Sequence, residues 1–305
     1  MISKNTVFLE RLREVIPESE IRIDEPLSVH TTFKVGGMAD IFIKCANAAE
    51  TSALIKLLNI TGHEYYILGK GSNILVGDKG YRGIIISLDN LNEVECDGQN
   101  IVAGAGVSLA KIASVAMNNS LTGLEFASGI PGSLGGALVM NAGAYGGEMK
   151  DVVVSVDVIT PAGDIFTLSN EEMKFAYRDS VLKHEKLLCI GAKLKLIAGK
   201  QEDIKNRMNE LALARRTKQP LEYPSAGSTF KRPEGYFAGK LIMDAGLSGY
   251  TIGGAQVSAK HCGFVINIGN ATAADIKDVI DEVAQKVYDR FGVRLEPEVC
   301  MLGDF

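Results

Sequence analysis

The sequence predicts an α+β chain in three compact parts, and three observations carry that reading. Period-two apolar runs alternate with apolar stripes at helical spacing, and no short-period repeat appears. Two glycine-rich stretches follow apolar segments: Leu68 to Val76 (LGKGSNILV) and Ser128 to Glu148 (SGIPGSLGGALVMNAGAYGGE). Residues 225–270 are again dense in glycine and turns, in a 305-residue chain of ordinary globular composition, 46% hydrophobic and 23% charged.

The elements follow in order. Val7, Phe8, Leu12, Val15 and Ile16 recur at helical spacing, so a helix opens the chain, with Pro17 just beyond it. HTTFKVGG (His30 to Gly37) leads into a strand expected over Asp40 to Cys45. Asn47, with Glu50 three residues on, marks a helix start; Leu54, Leu57 and Leu58 give its buried face and Gly62 its stop. Strands are expected at Tyr65 to Leu68 and Gly83 to Leu88, so residues 31–90 read as a β-α-β-β unit. A second unit starts near Gln99 with a strand at Ile101 to Ala103 and a helix capped by Ser108. In Asp151 to Ile159, Val152, Val154, Val156 and Val158 alternate with polar residues as a half-buried strand. The turn Pro161-Ala162-Gly163-Asp164 returns Ile165 to Leu168 as a hairpin, and Leu187 to Ile197 closes the unit. A helix from about Glu202 to Arg216 sets Ile204, Met208, Leu211 and Arg215 on one face, and Pro220 and Pro224 end it. The third unit has one clear strand, Phe264 to Ile268. Its helix starts at Thr272 and Asp275, carries Ile276, Val279, Ile280, Val283 and Val287 as a stripe, and stops at Gly292.

Charge and cysteine usage narrow the class. The net charge is -5, so nothing implies a nucleic-acid partner or a membrane surface. No apolar run approaches the ~20 residues of a membrane span, and the charged, amphipathic N-terminus does not read as a signal peptide. Cys45, Cys96, Cys189, Cys262 and Cys300 form no C-x-x-C pair, which fits a reducing compartment. His30, His63, His184 and His261 lack metal-ligand spacing, so no metal is expected. A cytoplasmic monomer follows as the expectation.

Glycine density removes side chains where backbone must approach a ligand, and lets successive amides turn inward around an anion. Pro131 fixes the start of the second stretch, Ser133 is placed to cap a short helix aimed at a phosphate, and Asn141 adds an amide that donates and accepts. No Lys-Ser or Lys-Thr pair closes a P-loop, and the Rossmann glycine pattern is absent. A glycine-rich surface loop is the plainer reading of either stretch. Two such turns together suggest two walls around one phosphorylated ligand.

Three further segments stand out: FAYRDS (Phe175 to Ser180), SAGSTFK (Ser225 to Lys231) and LEPEV (Leu295 to Val299). With GKGSNILV, the Ser128 to Glu148 stretch and GGAQVSAKHCGF, in that order, they resemble the UDP-N-acetylenolpyruvoylglucosamine reductase family, flavoenzymes of bacterial peptidoglycan precursor synthesis. The resemblance runs over nearly the whole chain, from HTTFKVGG to LEPEV. It implies a three-domain protein: a vanillyl-alcohol-oxidase-like, or PCMH-type, FAD-binding fold in two subdomains (1–98 and 99–203) and a C-terminal α+β substrate-binding domain (204–305).

What the resemblance implies for the site is specific. FAD would contact Thr32 and Val35, then Gly69, Lys70, Gly71, Ser72 and Asn73. It would also contact Gly129, Ile130, Pro131, Gly132, Ser133, Gly135, Gly136, Asn141, Gly143, Ala144 and Tyr145. The first turn contains no histidine, so FAD is expected to be noncovalent. NADPH would reduce FAD, hydride would pass to carbon 3 of UDP-N-acetylglucosamine enolpyruvate, and carbon 2 would be protonated to give UDP-N-acetylmuramate. That product serves cell-wall biogenesis, and with it cell shape and division.

Hydride addition to an enol ether conjugated with a carboxylate builds negative charge towards that carboxylate, so a fixed cation lowers the barrier. By the resemblance that cation is Arg178, whose planar fork suits a carboxylate; read alone, it is a partner for Asp179 or another acid. Ser228 matches the proton donor; read alone, it is a turn serine beside Gly227. Glu298 matches the third catalytic residue, although Glu296, two residues away, would share its face in a strand. Tyr177, Lys218, Gly227 and Gln256 are the expected substrate contacts.

Arg232 stands where the family often has asparagine, and Cys300 where it often has arginine. Fifty positions separate Arg178 from Ser228, as in the shorter class without the inserted loop whose tyrosine caps the diphosphate. A PCMH-type flavin oxidase of another sugar or alcohol is the alternative enzyme, and has no evident use for a Ser228 acid. A noncatalytic nucleotide-binding module would leave Arg178, Ser228 and Glu298 without a role.

Overall fold

Helix caps set several of the first elements in the computed structural model, which describes Ile2 and residues 5–305. Helix α1 (Thr6–Val15) is capped by Asn5, whose side chain accepts from the Phe8 amide at 3.1 Å. Strands β1 (Glu20–Pro26) and β2 (Met38–Lys44) follow, then α2 (Ala48–Thr61). Asn47 caps α2, and Gly62 ends it in the left-handed conformation at φ 67°. Glu50 does not complete a capping box: its carboxylate accepts from the Glu18 amide and the Ser19 hydroxyl, tying α2 to the preceding segment. Strand β3 (Tyr65–Leu68) precedes the short β4 (Ile74–Val76) and β5 (Tyr81–Ser87). The first sheet has the order β1-β2-β5-β3, with β3 parallel to β5. Strand β1 was not expected, because IRID in a half-exposed edge position carries no continuous apolar run.

Strands β6 (Val94–Asp97) and β7 (Asn100–Gly104) form a hairpin, so the second sheet begins at Val94 and not at Ile101. Helix α3 (Leu109–Asn118) is capped by Ser108, as its sequence predicts, and leads to β8 (Leu121–Thr122). The glycine-rich stretch holds α4 (Leu134–Val139), β9 (Gly143–Ala144) and β10 (Gly147–Glu148). Strands β11 (Val153–Ile159) and β12 (Ile165–Ser169) make the expected hairpin. After α5 (Val181–His184), β13 (Leu188–Lys195) completes an antiparallel sheet of order β12-β11-β13-β7-β6. A bulge between Val153 and Ser155 breaks the expected alternation: Val153 is buried, Val154 is exposed, and the pattern resumes with buried Val156 and Val158. Strand β14 (Ile197–Ala198) pairs with β8, and α6 (Gln201–Lys218) buries Ile204 and Leu211.

The chain divides into two compact units. The first holds residues up to Ile23, Ile41–Lys70 and Gly83–Arg215, around one core that includes Leu54, Ile84, Ile101, Ile112, Val156 and Leu194. The second joins Asp24–Asp40, Gly71–Arg82 and Arg216–Phe305.

The second unit adds α7 (Ala238–Asp244), β15 (Thr251–Ile252), β16 (Ala255–Val257), β17 (Val265–Asn267), α8 (Ala273–Phe291) and β18 (Cys300–Leu302). Three of its strands form an antiparallel β15-β16-β17 sheet where the sequence showed one clear strand, because β15 and β16 are only two and three residues long. The expected stripe of α8, from Ile276 to Val287, is fully buried against Phe33, Leu75 and Val257. Thr272 and Asp275 form a complete capping box, and Asp78 accepts from the Ala273 and Ala274 amides at 2.8 and 3.0 Å. Strand β18 lies parallel to β4, with Cys300 opposite Ile74 and Leu302 opposite Val76. The approach continues at Gly77, where a Cβ would stand 2.1 Å from the Asp304 carbonyl oxygen.

Removing the Thr272 hydroxyl leaves the Asp275 amide without its cap, so Thr272→Ala is expected to cost about 1 kcal/mol. A chemical-denaturation midpoint equal to that of the parent protein would show that the cap contributes nothing.

Candidate functional site

In the first unit, the second glycine stretch is fixed by backbone hydrogen bonds. The Leu134 amide donates to Val107 O at 2.8 Å, and the Gly135 amide donates to Ala105 O at 2.9 Å. A Cβ on Gly135 would stand 3.1 Å from Ala105 Cβ, so glycine permits this approach. Ser133 occupies the N-cap position of α4, but its side chain makes no capping hydrogen bond, contrary to the sequence expectation. Its buried hydroxyl instead faces Gly69 and Gly136, where added Cβ atoms would stand 2.9 and 3.6 Å from Oγ. Gly69, Gly129, Pro131 and Gly136 are exposed. The result is a side-chain-poor lip around a single hydroxyl. Ile130 and Gly132 are half-buried within it, while Lys70 is held in an ion pair with Asp89 at 2.7 Å.

Beyond α4 the chain turns twice through the left-handed region, at Asn141 (φ 40°) and Tyr145 (φ 54°). Gly143 and Ala144 pair with Glu148 and Gly147, leaving Tyr145 exposed at the hairpin tip. Asn141 is 1% exposed, and its amide is engaged within the protein. Its Nδ2 donates to Glu148 Oε2 at 2.9 Å and to Ala176 O at 3.1 Å, and its Oδ1 accepts from the Lys150 amide at 2.9 Å.

The segment that Asn141 touches is the YRDS turn. Ala176 and Asp179 exchange backbone hydrogen bonds at 3.1 and 3.2 Å, so Tyr177 and Arg178 form the tip. Arg178 has φ 55°, half-buried, with its guanidinium 5.2 Å from the exposed Tyr177 ring. Asp179 makes its ion pair with His184, at 2.8 Å. That hydrogen bond holds the Asp179 carboxyl below the usual carboxylate range, against a smaller opposing effect of burial and with further help from the charges of His184 and Lys183.

Arg215 also belongs to this unit, and the sequence reading gave it no function. The side chain is half-buried on the apolar face of α6; a Cβ on Gly129 would meet its Cδ and Nη1 at 3.4 Å. Burial pushes its guanidinium below the ordinary arginine value, with Tyr145 opposing. An arginine in phase with Ile204 and Leu211 was the available signal, because a cation on an apolar stripe needs a reason to be there.

In the second unit, Thr32 donates to Gly71 O from its amide at 3.0 Å and from its hydroxyl at 3.2 Å. Gly71, at φ 61°, comes so close to residue 30 that a Cβ would stand 1.9 Å from the His30 carbonyl oxygen. Val35 is buried in the core, so only its backbone could face a ligand, while Ser72 is half-buried. Asn73 donates from Nδ2 to Glu298 O at 3.1 Å, and its own carbonyl accepts from the Cys300 amide at 3.0 Å.

LEPEV lies beside the loop that carries Ser228. The Glu298 amide donates to Thr229 O at 2.8 Å, the Lys231 amide donates to Glu296 O at 2.9 Å, and Phe230 bridges to Pro297. Glu296 forms an ion pair with Lys231, which separates the two glutamates: one is occupied at the surface, while Glu298 is half-buried. Ser228 is exposed and follows Gly227, whose φ is 77° with open space around it. Gln256 donates to Thr251 Oγ1 at 2.9 Å, and Lys218 is exposed at the end of α6. Next to Lys218, Gln219 Oε1 is buried and has no hydrogen-bond partner among the described residues. The Arg232 guanidinium stacks over Phe237 at 4.0 Å.

Comparisons with known proteins agree in two parts. An FAD binding domain family matches residues 39–169. The family described as UDP-N-acetylenolpyruvoylglucosamine reductase, C-terminal domain, matches residues 219–302. A UDP-N-acetylenolpyruvoylglucosamine reductase from Lachnoclostridium phytofermentans is 50% identical, with 98% of each chain covered. The protein of the same name from Caldanaerobacter subterraneus is also 50% identical, over 98% of this chain and 99% of its own. The crystal structure of UDP-N-acetylenolpyruvylglucosamine reductase from Thermus caldophilus superposes with a TM-score of 0.80 at 33% identity, covering 94% of this chain and 99% of that one.

Because the Asp179 carboxyl is depressed, the contribution of its pair with His184 is present above the ordinary carboxylate range and fades as pH falls through the depressed value. His184→Ala is expected to raise the Asp179 titration midpoint, read by carboxyl NMR. An unchanged midpoint would remove His184 as the cause.

Proposed function

The chain belongs to the UDP-N-acetylenolpyruvoylglucosamine reductase family, and from that premise we propose how its side chains divide the reaction. The protein is an NADPH-dependent flavoenzyme that reduces UDP-N-acetylglucosamine enolpyruvate to UDP-N-acetylmuramate in peptidoglycan precursor synthesis. Its fold is the α+β, PCMH-type FAD-binding arrangement followed by the family's C-terminal domain. A PCMH-type oxidase of another sugar or alcohol is not favoured.

The residues of the first unit fit FAD. Exposed backbone at Gly69, Gly129 and Gly136 gives a dinucleotide close approach; the Ser133 hydroxyl and the half-buried Arg215 beside these glycines offer donors to its phosphates or ring oxygens. Noncovalent attachment accords with the absence of histidine between Gly69 and Val76. When bound, FAD would supply the redox chemistry, hydride transfer between NADPH and carbon 3 of the enolpyruvyl group.

Arg178 grips the substrate carboxylate with its planar fork and stabilises the charge that develops there. Ser228 delivers the proton to carbon 2. Glu298 hydrogen-bonds the enolate. The observation that carries this assignment is the Glu298 to Thr229 hydrogen bond of 2.8 Å, which sets Glu298 beside the residue after Ser228 while Glu296 is occupied by Lys231. Tyr177, Lys218, Gly227 and Gln256 contact the nucleotide-linked sugar; the orphaned Gln219 Oε1 supports a polar ligand group near Lys218. Residues 1–98 and 99–203 act as the two FAD-holding subdomains, and residues 204–305 take the substrate. The reading further assigns a cytoplasmic monomer with no nucleic-acid partner, in keeping with the net charge of -5, whose product supports cell shape and division.

Ser228→Ala is expected to leave flavin reduction by NADPH near normal and to slow reoxidation by the enolpyruvyl substrate by about 100-fold or more, measured by rapid mixing. Loss of both half-reactions in a folded, FAD-loaded variant would defeat the role. Arg178→Lys is expected to keep FAD while substrate turnover falls at least about tenfold, and turnover near that of the parent enzyme would refute the fork argument.

A further inference from the structure

We infer that Asn141 is a positioning residue for Arg178, in place of the cofactor contact that its glycine-rich setting suggests. The inference rests on the reading that Arg178 acts on the substrate carboxylate, and everything else in it is local to the first unit. The Asn141 amide has two N–H donors, and both are committed, to Glu148 Oε2 and to Ala176 O. Its oxygen accepts from the Lys150 amide, and the whole side chain is buried. No donor is left for a ligand.

The work of this amide is visible at the turn it reaches. Ala176 is the first residue of a tight reversal whose tip is Tyr177-Arg178. Arg178 sits at φ 55°, a region that an L-residue with a long side chain enters only when its surroundings require it. Three hydrogen bonds supply that requirement. Asn141 holds the Ala176 carbonyl on one stem at 3.1 Å. Ser180, fully buried on the other stem, donates its hydroxyl to Val139 O at 2.9 Å. Lys183 Nζ donates to Arg178 O at 3.0 Å. Both stems are therefore anchored on residues 139–141, at the end of α4. Glu148 keeps the Asn141 amide plane in place, and is itself held by the Asp151 amide and by an ion pair with Lys150. The last turn of the glycine-rich segment thus sets the backbone from which the guanidinium projects.

The informative variant is Asn141→Gly, because glycine accepts φ 40° and only the amide is lost. FAD dissociation from the variant is expected to match that of the parent enzyme within about threefold. Reoxidation of the reduced enzyme by UDP-N-acetylglucosamine enolpyruvate is expected to slow at least roughly tenfold, the loss of one buried hydrogen bond expressed in a rate. The effect should be non-additive with Arg178→Ala: the double variant reoxidises no more than about twofold slower than Arg178→Ala alone. Ser180→Ala cuts the opposite stem and should show the same pattern, which keeps the test open if Asn141→Gly does not fold. Full additivity of both variants with Arg178→Ala would overturn the inference. So would FAD release from Asn141→Gly with normal reoxidation once FAD is restored. Failure of the underlying reading looks different: Arg178→Ala by itself would reoxidise at the parent rate.

Discussion

The parallel pairing of β4 with β18 is the contact on which the second unit depends. It joins residues more than two hundred positions apart, so it carries a large loop-closure cost that local interactions cannot offset. The glycines beside it make it possible. Gly77 approaches Asp304 until no Cβ would fit, and the ladder continues from the Gly77 amide to Leu302 O and from the Lys79 amide to Asp304 O. Its functional consequence lies one residue before the strand. Because the Cys300 amide bonds Asn73 O and Asn73 Nδ2 bonds Glu298 O, the glycine turn at residues 71–73 sets the backbone of Glu298. Cys300 contributes its amide to this ladder while its side chain is exposed, so the residue that departs from the family pattern leaves the pairing intact.

In the first unit the same economy works through a different device. The stretch from Ser128 to Glu148 has two kinds of glycine. Gly135 is consumed by packing against Ala105, and Gly143 by its hairpin with Gly147 and Glu148. Gly129 and Gly136, like Gly69 of the first stretch, are solvent-exposed, and a Cβ on them would meet only side-chain atoms, of Arg215 at Gly129 and of Ser133 at Gly136 and Gly69. Composition alone cannot separate these classes. Asn141 makes the same point for polar groups. An amide in a glycine-rich loop looks like a ligand contact, but burial and three hydrogen bonds make it part of the scaffold behind Arg178.

Much of the architecture was legible because local chemistry writes it. Asn47, Ser108 and Thr272 cap the helices that follow them, and Gly62 and Gly292 end theirs in the left-handed conformation. The stripe from Ile276 to Val287 is buried throughout. What failed to show had no local signature. Edge strand β1 and the short β15 and β16 carry too little apolar periodicity, and the bulge at Val153 moves one side chain to the other face without changing composition.

By itself, the sequence determined the family and the cofactor class, because those rest on ordered glycine-rich motifs, and it offered Arg178, Ser228 and Glu298 as candidates for the reacting groups. Tertiary structure alone decided what each of these groups bonds to. It paired Glu296 with Lys231, joined the Glu298 amide to Thr229 O, committed the Asn141 amide to Ala176, turned the Ser133 hydroxyl from a cap towards Gly69, and set the half-buried Arg215 beside Gly129. The physical reason is that a polar group's role follows from which hydrogen bonds remain after its burial, and burial is set by contacts between residues far apart in the chain.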